Sequence, residues 1–482
     1  MSISRHIFRK YSVRGVIGEE FDLFDVQCIG MAAGTYFLDL GYQKVTVGHD
    51  GRLSSPDMAL ALIGGLLATG VQVLDVGLVP TPVLNFSTDD LNAEAGIMVT
   101  ASHNPPDNNG LKFRTDHTLQ GNELLHIFEI AQSRRFRLQA QREDRQLREY
   151  VSQMTELVHL DRALKVVVDA GNGTNGIVVP TLLEELGCTV VPLYCDVDGH
   201  FPHRLPDPTV PGALDDLVTA VAQTQADLGV AYDGDGDRLA IVDEQGHVIL
   251  ADMLLILLAR DLLDRKPGAK VVYELLCSQA VPDTVRQAGG VPVPSPVGYA
   301  AVHETMRREG ASLGGEMAGH IFFDEPNFVF DDAILATVKI LELASRSPNP
   351  FSVLLSDIPR YYNSPEIRPS CPDELKENVV DRVKASFEGR EDCSLNTMDG
   401  VQMLFGDAWA LVRVSQTQPK LSIRFEARTP ERLAAVGQMV LREVQRQLTA
   451  VHASIPADTF NDYLAQVGVA PNEVDDASRR IS

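Results

Sequence analysis

The sequence has no cysteine pair at C-x-x-C spacing, no apolar run long enough for a bilayer, no G-x-S-x-G turn, and far fewer cationic than acidic residues. Each absence closes off a class of protein. Six cysteines, Cys28, Cys188, Cys195, Cys277, Cys371 and Cys393, are scattered over 482 residues. That spacing indicates neither a zinc site, a thioredoxin motif nor a disulfide framework, and the cysteines read as reduced thiols in the cytoplasm. The most apolar stretch, 253–263, is interrupted by Arg260 and Asp261 and is too short to span a membrane; a core helix is expected there. The first ten residues are basic with no apolar segment behind them, so no signal peptide is expected. Against 66 acidic residues stand 42 lysines and arginines, for a net charge of −24. Such a chain repels nucleic-acid phosphates and anionic lipid at long range, so neither nucleic acid nor membrane is an expected partner.

What is present suits several globular domains: 44% of the residues are hydrophobic, and the length corresponds to roughly three or four domains at about 100–200 residues each. A pattern of strand, loop, helix, glycine and strand occurs three times. The copies start at Val45, Lys165 and Lys270, with Gly70, Gly187 and Gly289 ahead of their second strands. The intervals are too long for a solenoid and match three similar mixed α/β domains in tandem. The charged segment Arg134 to Arg148 reads as a helix-like linker. After Ser345 the pattern gives way to a proline-rich loop, the only tryptophan (Trp409), a strand-like run 421–426 and a final helix 430–448, expected to form a C-terminal α+β domain. The expected domains are 1–152, 153–252, 253–358 and 359–455, followed by a polar tail, 456–482.

Asp233-Gly234-Asp235-Gly236-Asp237-Arg238 is the strongest chemical signal. Glycines between three carboxylates let the backbone curl until all three converge on one cation, and an all-carboxylate set suits a hard ion such as Mg²⁺. Glu244 stands at the twelfth position from Asp233, as in a calcium loop, but the sixth is Arg238, where that loop needs glycine, and the flanks read as strands. Thr100-Ala101-Ser102-His103-Asn104-Pro105 follows the apolar strand 95–99. With a metal triad elsewhere in the chain, the Ser102 hydroxyl can carry a phosphoryl group whose oxygens the metal binds.

Three further motifs are weaker alone. Gly171-Asn172-Gly173-Thr174-Asn175-Gly176 fits G-x-G-x-x-G between a strand and a helix, with Asp196 after the next strand. It reads either as a dinucleotide-binding turn, the mark of an NAD-dependent dehydrogenase, or as a structural turn. Glu316 and His320, in Gly315-Glu316-Met317-Ala318-Gly319-His320, can hydrogen-bond vicinal sugar hydroxyls or belong to a buried turn. Arg413, Ser415 and Thr417, in 413–419, offer a guanidinium and two hydroxyls to a phosphate or form an exposed hairpin.

Together and in this order, these motifs resemble the α-D-phosphohexomutase family, its phosphomannomutase/phosphoglucomutase branch in particular, over residues 5 to 450. The resemblance implies four domains around a central cleft. It implies Ser102 as the phosphoserine, His103 and Lys112 as groups assisting proton transfer, and Arg238 beside them. Asp233, Asp235 and Asp237 would ligate one Mg²⁺ with the Ser102 phosphate. Tyr11, Arg14, Glu316, His320, Arg413, Ser415 and Thr417 would bind substrate. The implied reaction interconverts hexose 1-phosphate and hexose 6-phosphate through a hexose 1,6-bisphosphate that also serves as activator, in a monomer or dimer. Departures cluster on the sugar side: Ala318 where the family usually has serine, Pro296-Val297-Gly298-Tyr299 where a lysine and a histidine are usual, Leu276 near a usual lysine, Gln416 for asparagine and Ser12 for aspartate. Phosphoglucosamine mutase activity and a catalytically silent sugar-phosphate-binding role stay open beside the dehydrogenase.

Overall fold

The computed structural model describes residues 3–137, 141–143, 147–416 and 418–450. Thr417 and the expected tail lie outside the described residues. The first sheet holds β1 (Val13–Val16), β2 (Lys44–His49), β3 (Gln72–Leu78), β4 (Ala95–Val99), β5 (Asn108–Arg114) and β6 (Gln141–Glu143) in the order β1-β5-β4-β2-β3-β6. The second holds β7 (Lys165–Asp169), β8 (Thr189–Leu193), β9 (Leu228–Tyr232), β10 (Leu239–Asp243) and β11 (Val248–Ile249) in the order β11-β10-β9-β7-β8. The third, β12 (Lys270–Glu274), β13 (Val291–Ser295), β14 (Leu313–Gly315) and β15 (Ile321–Phe323), runs β13-β12-β14-β15. The fourth, β16 (Tyr362–Asn363), β17 (Ser394–Asn396), β18 (Val401–Leu404), β19 (Ala408–Val414) and β20 (Leu421–Ala427), runs β16-β20-β19-β18-β17.

The repeated segment of the sequence is the first crossover of each α/β domain. β2 pairs parallel with β3 across the helix Ser55–Ala68, and β7 with β8 across Val179–Glu185. The glycines before the second strands, Gly70, Gly187 and Gly289, have φ of +97°, +88° and +79°. This left-handed conformation ends a helix at little cost only where there is no Cβ. Each domain then turns back on itself. β4 and β5, β9 and β10, β14 and β15, and β19 and β20 are antiparallel neighbours. The chemical motifs occupy the four turns joining these pairs: Ser102 in the first, the aspartates in the second, Glu316 and His320 in the third, and Ser415, Gln416 and Gln418 in the fourth, with Arg413 at the end of β19 just before it.

One sequence expectation fails. Within the segment 134–148 expected as a helix-like linker, Gln141–Glu143 is a strand paired parallel to β3 and the helix begins at Leu147, while 138–140 and 144–146 lie outside the described residues. Gln141 to Glu143 add a sixth strand to the open edge of the first sheet, which propensity alone does not anticipate. The apolar stretch 253–263 lies in the helix Ala251–Arg265, as expected. No helix among the described residues is long and apolar enough to cross a membrane.

The chain divides into two compact units: 1–272 with 288–291 and 299–357, and 273–287 with 292–298 and 358–482. In the first, Tyr150 of the helix Leu147–Leu157 donates its hydroxyl to both Asp332 oxygens, at 2.9 and 2.8 Å. Asp332 also caps the helix Ala333–Arg346 by accepting Leu335 N–H at 2.8 Å. Burial raises the Asp332 carboxyl from its ordinary value to about 7. The folded state therefore holds this proton longer than the unfolded chain. Stability from this group is full below about pH 4 and declines until about pH 7, by up to about 4 kcal/mol. Asp332→Asn keeps an N-cap acceptor and has no proton to lose. Thermal melts between pH 5 and 8 should show the decline in the parent and flatten it in the variant.

Candidate active site

The site in the first unit is assembled from three of the turns. Asp233, Asp235 and Asp237 are all fully buried, with one oxygen from each within 4.8 Å of the others. The alternating glycines have a visible purpose at Gly236, which has φ +78° and whose Cβ would lie 2.3 Å from Asn175 Oδ1. Asp233 Oδ1 accepts the N–H groups of Gly236, Asp237 and Arg238 at 3.1, 3.1 and 3.2 Å, closing the turn. Oδ1 of Asp235 and Oδ1 of Asp237 are buried with no hydrogen-bond partner in the protein. Burial and the charges of Asp237 and Asp235 push the Asp233 carboxyl well up. Three buried acids with two inward-facing, unpartnered oxygens fit a small divalent cation.

Lys112 supplies the counter-charge on the protein side. It sits on β5 opposite Met98, and its Nζ lies 2.9 Å from Asp235 Oδ2 and 2.6 Å from Asp237 Oδ2. Burial opposes its charge, but the two carboxylates outweigh burial and raise its pKa; the Asp235 carboxyl is lowered correspondingly, with Lys112 as the chief attraction. Thr81, between two prolines, donates its hydroxyl to Asp235 Oδ2 at 2.9 Å and its N–H to Asp235 O at 2.8 Å. A cavity of 20 Å³, about the room a single water takes, lies among Lys112, Asp237, Tyr299, Thr81 and Asp331.

Ser102 is 1% exposed and has φ +55°, a left-handed conformation uncommon for a side chain bearing Cβ. Its Oγ donates to Asp233 Oδ2 at 3.3 Å and lies 3.4 Å from His103 Nδ1. His103 is held well below its ordinary pKa by burial and by the nearby positive charges of Arg238 and Arg14, so its imidazole is neutral at neutral pH. Arg14 reaches the same turn, with Nη1 3.4 Å from Ala101 O and 3.5 Å from Asn104 Oδ1. Tyr11 packs edge-on against Tyr299, ring centroids 5.8 Å apart.

The third turn meets the second at Gly319, whose φ is +119° and whose Cβ would lie 2.7 Å from Arg238 Cβ. Glu316 and His320 are both buried. Arg238 Nε donates to His320 Nε2 at 3.1 Å, and His320 Nδ1 lies 2.7 Å from Asp331 Oδ2. Tyr299 stacks on the His320 ring at 5.5 Å, and Lys112 Nζ lies 5.5 Å from the centre of the Tyr299 ring.

The fourth turn belongs to the second unit. Arg413 is buried and donates from Nε to Asp399 Oδ2 at 2.8 Å. Ser415 Oγ accepts Gln418 N–H at 3.2 Å, and Lys376 Nζ holds the Ser415 and Gln418 carbonyls at 2.6 and 3.2 Å. A buried guanidinium beside a turn fastened by lysine suits an oxyanion ligand.

The G-x-G-x-x-G match is a structural turn. A Cβ at Gly176 would lie 2.0 Å from Cys195 O, and one at Gly173 2.9 Å from Asp233 O and Gly234 O. Thr174 N–H and Asn175 Nδ2 donate to Gly234 O and Gly236 O at 3.3 and 3.2 Å. The glycines let this turn support the aspartate turn, and the space a pyrophosphate would need holds protein backbone. Sequence reasoning missed Thr81 and Asp331. The only signal for Thr81 is its position between two prolines; Asp331 has none, because its role depends on the third turn folding back over it.

The site and the fold define a phosphohexomutase. The chain belongs to the phosphoglucomutase/phosphomannomutase family, whose alpha/beta/alpha domains I, II and III match residues 5–137, 148–246 and 251–362 and whose C-terminal domain matches 366–443. It is 39% identical to a phosphomannomutase/phosphoglucomutase of Pseudomonas aeruginosa, over 93% of this chain and 97% of that protein. It is 36% identical to a phosphoglucomutase of Neisseria meningitidis, over 94% and 98%. A phosphoglucomutase/phosphomannomutase family protein of Burkholderia thailandensis superimposes with TM-score 0.86 at 36% identity, covering 94% of this chain and all of that one.

Lys112→Met removes the only ammonium that, among the described residues, pairs with the triad, while filling its volume. Stripping one partner from a buried ion pair costs about 3–5 kcal/mol. The variant should melt well below the parent in EDTA and regain much of the difference in millimolar Mg²⁺, read by differential scanning calorimetry.

Proposed function

We propose that the chain interconverts hexose 1-phosphates and hexose 6-phosphates, those of mannose and glucose, through a phosphorylated Ser102 and a hexose 1,6-bisphosphate. The observation that carries this reading is the Ser102 hydroxyl 3.3 Å from Asp233 at the buried triad. A phosphoryl group on that oxygen would be within reach of a cation on the three aspartates. Magnesium at Asp233, Asp235 and Asp237 supplies positive charge to the transferred group.

The P–O bond to Ser102 breaks as the free sugar hydroxyl forms one to phosphorus, and that hydroxyl's proton must leave. Lys112, protonated by its two carboxylates, can accept it only after losing its own proton, whereas His103 is neutral and stands beside the serine oxygen. The proton the sugar hydroxyl loses ends on the Ser102 oxygen; His103, neutral and 3.4 Å from that oxygen, is placed to deliver it there and to take it back when Ser102 is rephosphorylated, with Lys112 as a fixed positive charge. Arg238 faces the transferred group. Glu316 binds sugar hydroxyls, and His320, its ring nitrogens against Arg238 and Asp331, backs the sugar site, with Tyr299 as an apolar wall where the family resemblance leads one to expect a histidine. Tyr11 and Arg14 complete the first-domain side. Arg413, Ser415 and Thr417 grip the phosphate that is not reacting. The bisphosphate turns over and returns its other phosphoryl group to Ser102, so the same compound, added in trace, primes dephosphorylated enzyme. Six cysteines scattered along the chain without the spacing of a disulfide framework suit the cytoplasm, where thiols stay reduced.

Ser102→Ala should abolish conversion of mannose 1-phosphate and glucose 1-phosphate, and near-normal turnover would end the proposal. Intact mass spectrometry should show one phosphate adduct on the parent and none on the variant. Glucosamine 1-phosphate, assayed beside the two hexoses, should be the poorer substrate.

A further inference from the structure

Two buried arginines lie directly behind the reacting turns. Arg52 follows β2 and is 1% exposed. Its guanidinium has five N–H groups, and each has an oxygen. Nε bonds Asp50 Oδ2 at 3.1 Å. Nη1 bonds Pro105 O and Asn108 O at 2.7 and 3.2 Å. Nη2 bonds Ser102 O and Asn104 O at 2.5 and 2.8 Å. Asp50 Oδ2 also accepts the Thr100 hydroxyl at 2.7 Å, and Thr100 Oγ1 accepts Ser102 N–H at 2.8 Å. Both backbone groups of Ser102 are thus tied to one buried Asp50–Arg52 pair. A residue held at positive φ persists only where its surroundings over-determine it.

The second domain repeats the device. Arg204 is 8% exposed; its Nε and Nη2 bond Asp169 at 3.0 and 3.2 Å, and Nη2 bonds Tyr232 O at 2.7 Å. Tyr232 directly precedes Asp233. The two devices adjoin: the Phe201 ring covers Arg52 at 5.5 Å, and a Cβ at Gly234 would lie 3.0 Å from Ser102 O and 3.6 Å from Phe201 Cζ.

We infer that Arg52 and Arg204, each with its buried aspartate, are positioning residues that hold the phosphate-carrying serine and the first metal ligand independently. Arg52 acts through Ser102 and sets the geometry of transfer; Arg204 acts through Asp233 and sets the affinity of the metal site. This assignment rests on the mutase reading above. Lysine at either position keeps the charge but loses the fork that joins several carbonyls at once.

The test uses the full-length chain carrying Arg52→Lys, Arg204→Lys or Thr100→Val. Readouts are steady-state kinetics on glucose 1-phosphate with trace glucose 1,6-bisphosphate, Mn²⁺ affinity by electron paramagnetic resonance, and thermal melting. Displacement of a reacting atom by an ångström costs about 100-fold in rate, so Arg52→Lys should lower kcat about 100-fold, with KM and Mn²⁺ affinity close to parent. Loss of a group that orients a metal ligand costs about 10–100-fold in affinity. Arg204→Lys should weaken Mn²⁺ by about that factor and regain turnover as Mg²⁺ is raised. Thr100→Val, which cuts the Asp50 link to Ser102 N–H without touching either arginine, should reproduce the Arg52→Lys pattern and decides the matter if that variant does not fold. Parent-like kcat in Arg52→Lys and Thr100→Val, or equal loss of Mn²⁺ affinity in all three variants, overturns the inference. A parent that converts no hexose phosphate overturns the mutase reading instead, while the Mn²⁺ comparison still decides whether Arg204 serves the metal ligand.

Discussion

Three carboxylates buried within one five-residue turn cannot all keep their charge without positive charge among them, and much of the first unit follows from that constraint. Lys112 meets part of it from the first domain, reaching Asp235 and Asp237; Arg238 lies 3.8 Å from Asp233. Because Lys112 comes from one domain and the aspartates from the next, neutralising the acids also brings the serine turn to them. Asp233 then receives the Ser102 hydroxyl. On the proposed reading, electrostatic necessity and catalytic alignment are met by the same contacts, with two oxygens of the triad left for a cation.

The sheets explain how such a site can be built from separate domains. In every domain the chain runs out along one strand and returns antiparallel along its neighbour, and the turn carries the chemistry. The strands are buried nearly throughout, so their registers are fixed by the core. Turns on rigid strands hold side chains to tolerances that long loops do not. The support beneath the turns is equally specific: the glycine-rich segment 171–176 props the aspartates, and Gly319 lets the sugar turn lie against Arg238.

Much of this was legible in the sequence. The threefold strand–helix–glycine pattern exposed the tandem domains because the helix-ending glycine is a local requirement. Asp233 to Arg238 announced itself because alternating acids and glycines have few other uses. Ser102 stood at the end of a strand readable from 95–99. What escaped depends on distant parts of the chain. Arg204 lies 35 residues from the aspartate it bonds, and Asp331 gains its role only when the third turn closes over it. The glycine turn matched a ligand-binding pattern as well as a structural one, and only the packing, where its glycines admit backbone, separates the two. The strand 141–143 was missed because its pairing with β3, and nothing in its charged composition, makes it extended.

On the proposed reading, each hairpin has its own task, and chemistry is separated from choice. Ala318 and Tyr299 stand in and beside the third turn, while the serine, the acids and Lys112 are held by strands and arginines of the first two domains. On the proposed reading, a change at Ala318 would bear on which sugar is preferred, while Ser102 and Asp233 keep supports of their own in the first two domains. Over generations such a scaffold can wander among hexoses while its reaction stays the same.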